Sequence, residues 1–439
     1  MRWLVFGSYD VRRHPRVGVL IQGLRAAGDE VDEVNVPLAL DTAGRVAVLQ
    51  QPWRLPVLLG KLARCWALLV LRTCRHRSRR ADGPVDAVLV GYLGHFDVRL
   101  ARWLFPGTPI VLDHLVSAVG TARDRGLADA DDGVRGRLMR AIDDGALRRA
   151  DVVLVDTAEH LAGLPRSTRD RGVVVPVGAG TEWFEAGART TRQRWHGGPA
   201  DASGSSASSS VSSAGWRLRV VFVGLFTPLH GTRTLGAALA TLAADESIEV
   251  TMVGNGQDHR ACRQAAAGNP RVTWYDWVGS AELPSFVAQH HVALGIFGDT
   301  EKARRVVPTK VFQAAAAGCA VVTSDTAPQR QALGDAALFV PPGDVDALGA
   351  ALRELAADPD RLARLRRAAR RRAVEWFWPA TVVAPLRRRM TAPVSPDAFP
   401  GQVEVDAADA ADAAAVVEAA GVVDADDVAD ASGSARGVR

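Results

Sequence analysis

Short apolar runs rich in Val and Leu, separated by helical stretches, return along most of the chain. In the first part they are "RWLVFG", "EVDEVNV", "VDAVLVG", "TPIVLDH", "ADVVLVD" and "GVVVPVG". In the second they are "LRVVFVG", "SIEVTMVG", "RVTWYDWVG", "VALGIFG", "CAVVTSD" and "AALFVPPG". Most lack the strict polar–apolar alternation of a strand with one wet face. Strands buried on both faces of a parallel sheet read this way, because helices cover both sides. Strand–helix–strand order then predicts doubly wound α/β architecture.

The pattern breaks once, at "GGPADASGSSASSSVSSAG", which has almost nothing to bury and reads as a flexible linker. The expected organisation is an N-terminal domain over 1–185, a Ser/Gly-rich linker over 186–215 and a C-terminal domain over 216–375. A closing helix over 376–390 and a disordered acidic tail over 391–439 complete it. Two such domains face one another across a cleft, and ligands of open α/β sheets bind at the carboxyl ends of the strands.

Bulk composition excludes more than it selects. A net charge of +4 over 439 residues argues against a nucleic-acid binder. The four cysteines have neither CxxC nor ligand-like spacing, so neither a disulfide framework nor a metal site is expected, and a reducing cytoplasm is. The apolar run in "MRWLVFGSYD" is too short for a leader peptide. "LPVLLGKLARCWALLVL", interrupted by Lys61 and Arg64, is too short and too charged to span a bilayer. It reads as an amphipathic helix, either of the core or lid or lying on a membrane surface. Trp53, Trp66 and the following "RTCRHRSRR" favour peripheral contact with anionic lipid. "RLARLRRAARRR", with seven arginines, reads either as a solvated basic helix or as a contact for lipid or lipid diphosphate.

Three strand ends carry glycines of the kind that let backbone amides meet an anion. They are Gly7 in "GSYDVRRHP", Gly224 with His230 and Gly231 in "VGLFTPLHGTRTL", and Gly254 in "VGNGQD". Each is either a structural turn or a ligand loop. Lys310 is more pointed. The chain has only three lysines, Lys61, Lys302 and Lys310, among 53 basic residues. "PTKVFQAAAAG" opens a helix at Pro308 and puts Lys310 in its first turn, where the helix dipole disfavours a cation. An anion in front of it removes the conflict, and a compact ammonium suits a tight diphosphate site better than a planar guanidinium.

"VGLFTPLHG", "GIFGDTEKARRVVPTKVFQAAAAGCAVVTSD" and "VVVPVGAG", with "VLDH" and "VLVDTAEH", resemble the strand-end motifs of retaining family 4 glycosyltransferases of the GT-B fold. The likeness spans about 1–390 apart from the Ser-rich segment. It implies a nucleotide-sugar donor on the second domain, a glycan or lipid-linked acceptor on the first, no metal and no further cofactor. By position, Lys310 would grip the donor diphosphate, and Lys302, Arg304 and Arg305 would lie beside the sugar or phosphates. Gln313 stands where many relatives hold the ribose with a Glu, and His230 where a phosphate-binding Lys is common. Asp113 and His114 fall where a catalytic, acceptor- or sugar-contacting residue is expected. Asp156, Thr157 and His160 read as structural or acceptor-side. The resemblance implies a cytoplasmic enzyme of cell-envelope or exopolysaccharide synthesis. A non-catalytic GT-B binding protein is the alternative. An NAD-type oxidoreductase is disfavoured, because no G-x-G-x-x-G with a following acidic residue sits at a strand–helix junction.

Overall fold

The computed structural model describes residues 1–12, 14–38, 55–79, 83–92, 94–115, 117–120, 133–196 and 216–392. Arg13, Trp53, most of the expected linker and nearly all of the expected tail lie outside these residues. The apolar runs become strands. β1 (Arg2–Gly7), β2 (Glu30–Asn35), β3 (Ala87–Val90), β4 (Ile110–Asp113), β5 (Val152–Val155) and β6 (Gly172–Val174) form one sheet. β7 (Leu218–Val223), β8 (Ile248–Val253), β9 (Val272–Tyr275), β10 (Val292–Leu294), β11 (Ala320–Ser324) and β12 (Ala337–Val340) form the other. Every strand pairing is parallel.

The orders are β2-β1-β3-β4-β5-β6 and β12-β11-β10-β7-β8-β9. The first reverses between β1 and β3, the second between β7 and β10. At such switch points adjacent loops diverge and leave a crevice at the strands' carboxyl ends. The central strands β3, β4 and β5 are buried at every residue, as two-sided coverage requires. Edge strand β2 is mostly part-exposed, which accounts for its acidic residues.

The domain boundaries differ from the sequence expectation in two ways. Helix Thr181–His196 runs well past residue 186, so the expected linker starts too early. This helix carries Trp183, Phe184 and Ala186 into the core of the second domain. Conversely, Val382, Val383 and Leu386 of the closing segment pack into the first domain with Val17, Leu20 and Leu24. Arg387 there binds the buried Asp29 carboxylate at 2.8 Å, which the N-terminal ammonium also reaches at 3.0 Å. Burial pushes the Asp29 pKa up, but these two cations outweigh it and hold the group below its usual value. The chain therefore crosses between domains twice.

The amphipathic stretch is helix Leu55–Arg79. Trp66 is not a surface anchor: it packs with Cys65 and Leu69 against Leu4, Phe6 and Val34, and its indole donates to Asp97 Oδ1 at 3.1 Å. The basic run is also pinned, with His76 Nε2 2.9 Å from Asp32 and the Arg72 and Arg77 guanidiniums donating to the carbonyls of Asn35 and Leu104. No described helix is long and apolar enough to cross a membrane.

Helix Pro359–Arg372 holds the seven-arginine run, and three of these arginines are half-buried and bonded to backbone carbonyls. Arg366 donates to the Gly318 carbonyl at 2.9 Å, and Arg370 to those of Ala316 and Phe184. Arg372 reaches Ala332 and Gln331 at 2.7 and 3.1 Å. Most of these acceptors are unpaired carbonyls at or just past the ends of helices Thr309–Ala316 and Ala327–Leu333, where cations are favoured.

Candidate active site

At the switch point of the second sheet, the loops after β7 and β10 meet backbone to backbone. Phe297 N donates to His230 O at 3.1 Å. Gly231 turns there with φ 63°, and a Cβ on it would lie 2.3 Å from the Phe297 carbonyl carbon. Gly254, at φ 123°, is tighter: its Cβ would lie 1.9 Å from Gly224 O. These two glycines shape the crevice by letting its walls touch. Gly254→Ala should therefore displace the 224–231 loop. The expected result is a melting temperature lower by several degrees.

Helix Thr309–Ala316 begins beside this crevice. Lys310 Nζ is buried and has no hydrogen-bond partner. It lies 3.8 Å from the centre of the Phe222 ring, a cation–π contact. A Cβ on Gly224, just past β7, would come within 2.5 Å of it, so a side chain there would push the ammonium from this position. Burial pushes the Lys310 pKa well below its ordinary value, since no anion is at hand to compensate. His230 faces the same crevice, its Nδ1 bonded to Leu225 O. Burial first, then the charges of Lys310 and Lys302, hold its pKa well below the usual imidazole range. The crevice thus gathers Gly224, His230, Lys302 and Lys310, all expected there.

Gln313, one turn beyond Lys310, lines a small cavity with it, together with Trp183, Val223, Val287 and Ala314. Spacing of three residues puts both side chains on one helix face. Arg304 and Arg305 belong to a single turn, Ala303–Arg305. Arg305 pairs with Glu301 at 2.5 Å, and Arg304 Nε donates to Asp299 O at 3.3 Å. Both remain exposed.

The first domain departs further from expectation. The amides after Gly7 do not await an anion: Asp97 Oδ2 accepts from Ser8 N and Ser8 Oγ, each at 2.7 Å. The protein's own carboxylate fills the place of a phosphate. Asp113 is likewise committed, with its Oδ1 accepting from Arg16 Nε at 2.7 Å and both side chains almost completely buried. Burial raises the Asp113 pKa and Arg16 opposes it. Asp113 anchors helix Arg16–Ala26 to β4 and is not open to a substrate.

His114, the next residue, turns towards helix Val134–Arg149. Its Nε2 lies 3.8 Å from Asp143 Oδ1, and His95 Nε2, from the loop after β3, lies 3.1 Å from the same oxygen. Asp143 also accepts from Ser117 Oγ and the amides of Ala118 and Val119. Burial pushes its pKa up, but the two imidazoles and these donors hold it well below the carboxylate range. Among the described residues this is the one group with metal-ligand geometry. Asp156 binds His160 Nδ1, and Thr157 Oγ1 donates across the cleft to Arg305 O at 2.9 Å, joining the two domains at their strand ends.

Comparison with known proteins fits this geometry. Residues 217–358 match the family model of glycosyl transferases group 1. Sucrose-phosphate synthase from Thermosynechococcus elongatus superposes with a TM-score of 0.58 at 17% identity, over 89% of this chain and 98% of that one. HepE from Anabaena, in complex with UDP-glucose, gives 0.56 at 12% identity, over 89% and 99%. A structure titled trehalose-6-phosphate from E. coli, bound with UDP-2-fluoro glucose, gives 0.58 at 13%, over 90% and 100%. No curated protein matches the chain.

The fold is GT-B.

The group 1 match begins one residue before β7 and ends just after helix Val345–Ala357, so it takes in the switch-point crevice of the second sheet. Sequence reasoning missed Asp97, Arg16, His95 and Asp143. Only His95, in "GHFD" at a strand end, carried a local signal. The others act on partners at least 24 residues away in sequence.

Proposed function

We propose that this protein is a retaining glycosyltransferase that takes a sugar from a nucleotide-sugar donor held by the second domain. It passes the sugar to a glycan or lipid-linked acceptor at the first, in cell-envelope or exopolysaccharide assembly. The observation that carries the reading is the buried, unpartnered Lys310 ammonium at the switch-point crevice. A site that holds an uncompensated cation out of water is built for an anion. The donor diphosphate supplies it. Lys310, with Lys302, Arg304 and Arg305 around the crevice, would neutralise the leaving diphosphate without a metal there, as charge grows on it in the transition state.

In the reaction the bond from the sugar's anomeric carbon to the diphosphate oxygen breaks. An acceptor hydroxyl bonds to that carbon from the same face, and its proton passes to the departing diphosphate. The protein contributes position and charge. Gln313 would meet the ribose through its carbonyl oxygen while its amide donates elsewhere.

The test is a binding and turnover screen against UDP-, GDP-, ADP- and dTDP-sugars, beginning with UDP-glucose because of the HepE complex. One donor should raise the melting temperature and be turned over when acceptor extracts are added. Binding without turnover would favour a non-catalytic role, and no binding of any donor would remove the reading.

Peripheral membrane contact, if the acceptor is lipid-linked, would fall to the start of helix Leu55–Arg79. There Val57 and Leu59 are exposed beside Lys61 and Arg64. Anionic vesicles should then sediment the protein at low salt and release it at high salt. Equal recovery with neutral vesicles would discard this contact.

A further inference from the structure

The cluster at His95, His114 and Asp143 belongs to the first domain, and the proposed transfer does not use it as a unit. Its three candidate ligand atoms come from three separate elements: the loop after β3, the end of β4 and helix Val134–Arg149. The atoms lie within 4.8 Å of one another. Nε2 of His95 and Nε2 of His114 are both buried without a hydrogen-bond partner, although each faces the Asp143 carboxylate. The two rings pack at 5.3 Å between centroids, which brings two nitrogens to one oxygen. Their contact with Asp143 is a charge contact without hydrogen-bond geometry, and buried polar nitrogens left so are costly.

We propose that His95, His114 and Asp143 bind one divalent ion of the zinc type. Two imidazole nitrogens and one carboxylate oxygen form a donor set suited to zinc. Tetrahedral zinc, with bonds of about 2.0–2.2 Å, separates its ligand atoms by roughly 3.3 Å. The contacts to Asp143 of 3.1 and 3.8 Å bracket that value, so small side-chain rotations close the site. The Ser117 hydroxyl and the Ala118 and Val119 amides, bonded to Asp143, supply the outer contacts that orient a ligating carboxylate. The ion ties the three elements together and fixes the His114 ring. This departs from the expectation of no metal, which rested on the spacing of the cysteines and on the family resemblance.

The test uses untagged full-length protein, stripped by chelator and dialysed, then titrated separately with Zn²⁺ and Co²⁺. One ion per chain is expected by elemental analysis, and the cobalt form should show the intense visible bands of a tetrahedral site. His95→Ala should weaken binding at least tenfold while circular dichroism stays that of the parent. If that variant does not fold, His95→Gln and the parent's stoichiometry and cobalt spectrum still decide. The proposal fails if the parent takes up no ion, or if both His95→Ala and His114→Ala bind it as the parent does. It also fails if the parent stays metal-free and nitrogen NMR finds both imidazoles doubly protonated at neutral pH. In that case protons, not an ion, balance Asp143.

Discussion

Lys310→Met is expected to make the protein more stable and nearly inactive. Its ammonium is buried without an anionic or hydrogen-bonding partner, offset only by the face of Phe222. A buried polar group left unsatisfied costs about 1–3 kcal/mol, and more when charged. Methionine keeps the volume and sheds the charge. At about 2–4 °C per kcal/mol for a domain of this size, the melting temperature should rise by several degrees. Transfer should fall roughly 10²–10³-fold in kcat/KM, the scale of losing one charge-stabilising donor in an active site. Activity near that of the parent would show that Lys310 does not meet the diphosphate.

The pH dependence of stability carries the same information. The folded pKa of Lys310 is depressed, so between that value and the ordinary one the unfolded chain binds a proton that the folded chain does not. Stability therefore rises with pH through that window; below it the cost of the buried charge is present in full, and above it, with both states neutral, that cost is gone. Comparing parent with Lys310→Met isolates the slope. Saturating donor should flatten it, because a diphosphate restores the proton.

Arg16→Ala should be the most destabilising single change. It leaves the buried Asp113 carboxyl without the cation that balances it, and losing one partner of a buried pair costs about 3–5 kcal/mol. The double variant Arg16→Met, Asp113→Leu removes both charges and should recover most of the loss in chemical denaturation. If Arg16→Ala alone melts as the parent does, the pair does not hold helix Arg16–Ala26 on the sheet. If the double variant is worse than the single one, packing rather than charge is what the site requires.

The contrast between Lys310 and Asp113 shows where a sequence is informative about a site. Lys310 stood out because local rules conflicted: a cation in the first turn of a helix needs an external reason, and the fold leaves that reason open. Asp113 obeyed a local rule, an acid at the carboxyl end of a strand, but its partner Arg16 lies 97 residues earlier. Gly7 misled in the same way, because Asp97, which fills its loop, lies 89 residues from Ser8. The parallel sheets were legible because burial on both faces marks each strand by itself. The arginine run was not, since helix-end carbonyls have no signature in sequence. Helix Thr181–His196 hid its continuation past residue 186 because its polar exposed face resembles the start of a linker.

The two crossings between domains have a mechanical consequence. One runs through helix Thr181–His196, whose Trp183 and Phe184 are seated in the far domain. The other returns through Trp378 to Val382 and Leu386, with Trp378 packed edge-to-face on Phe184, ring centres 4.7 Å apart. Two adjacent pivots define an axis. Sliding or twisting one domain over the other would tear an aromatic or a valine out of its socket. Swinging about the line through the pivots costs only the contacts at the open rim, such as Thr157 to Arg305. Such a pair of pivots would favour an opening and closing motion over a sliding one, with the two rows of strand ends meeting at the rim.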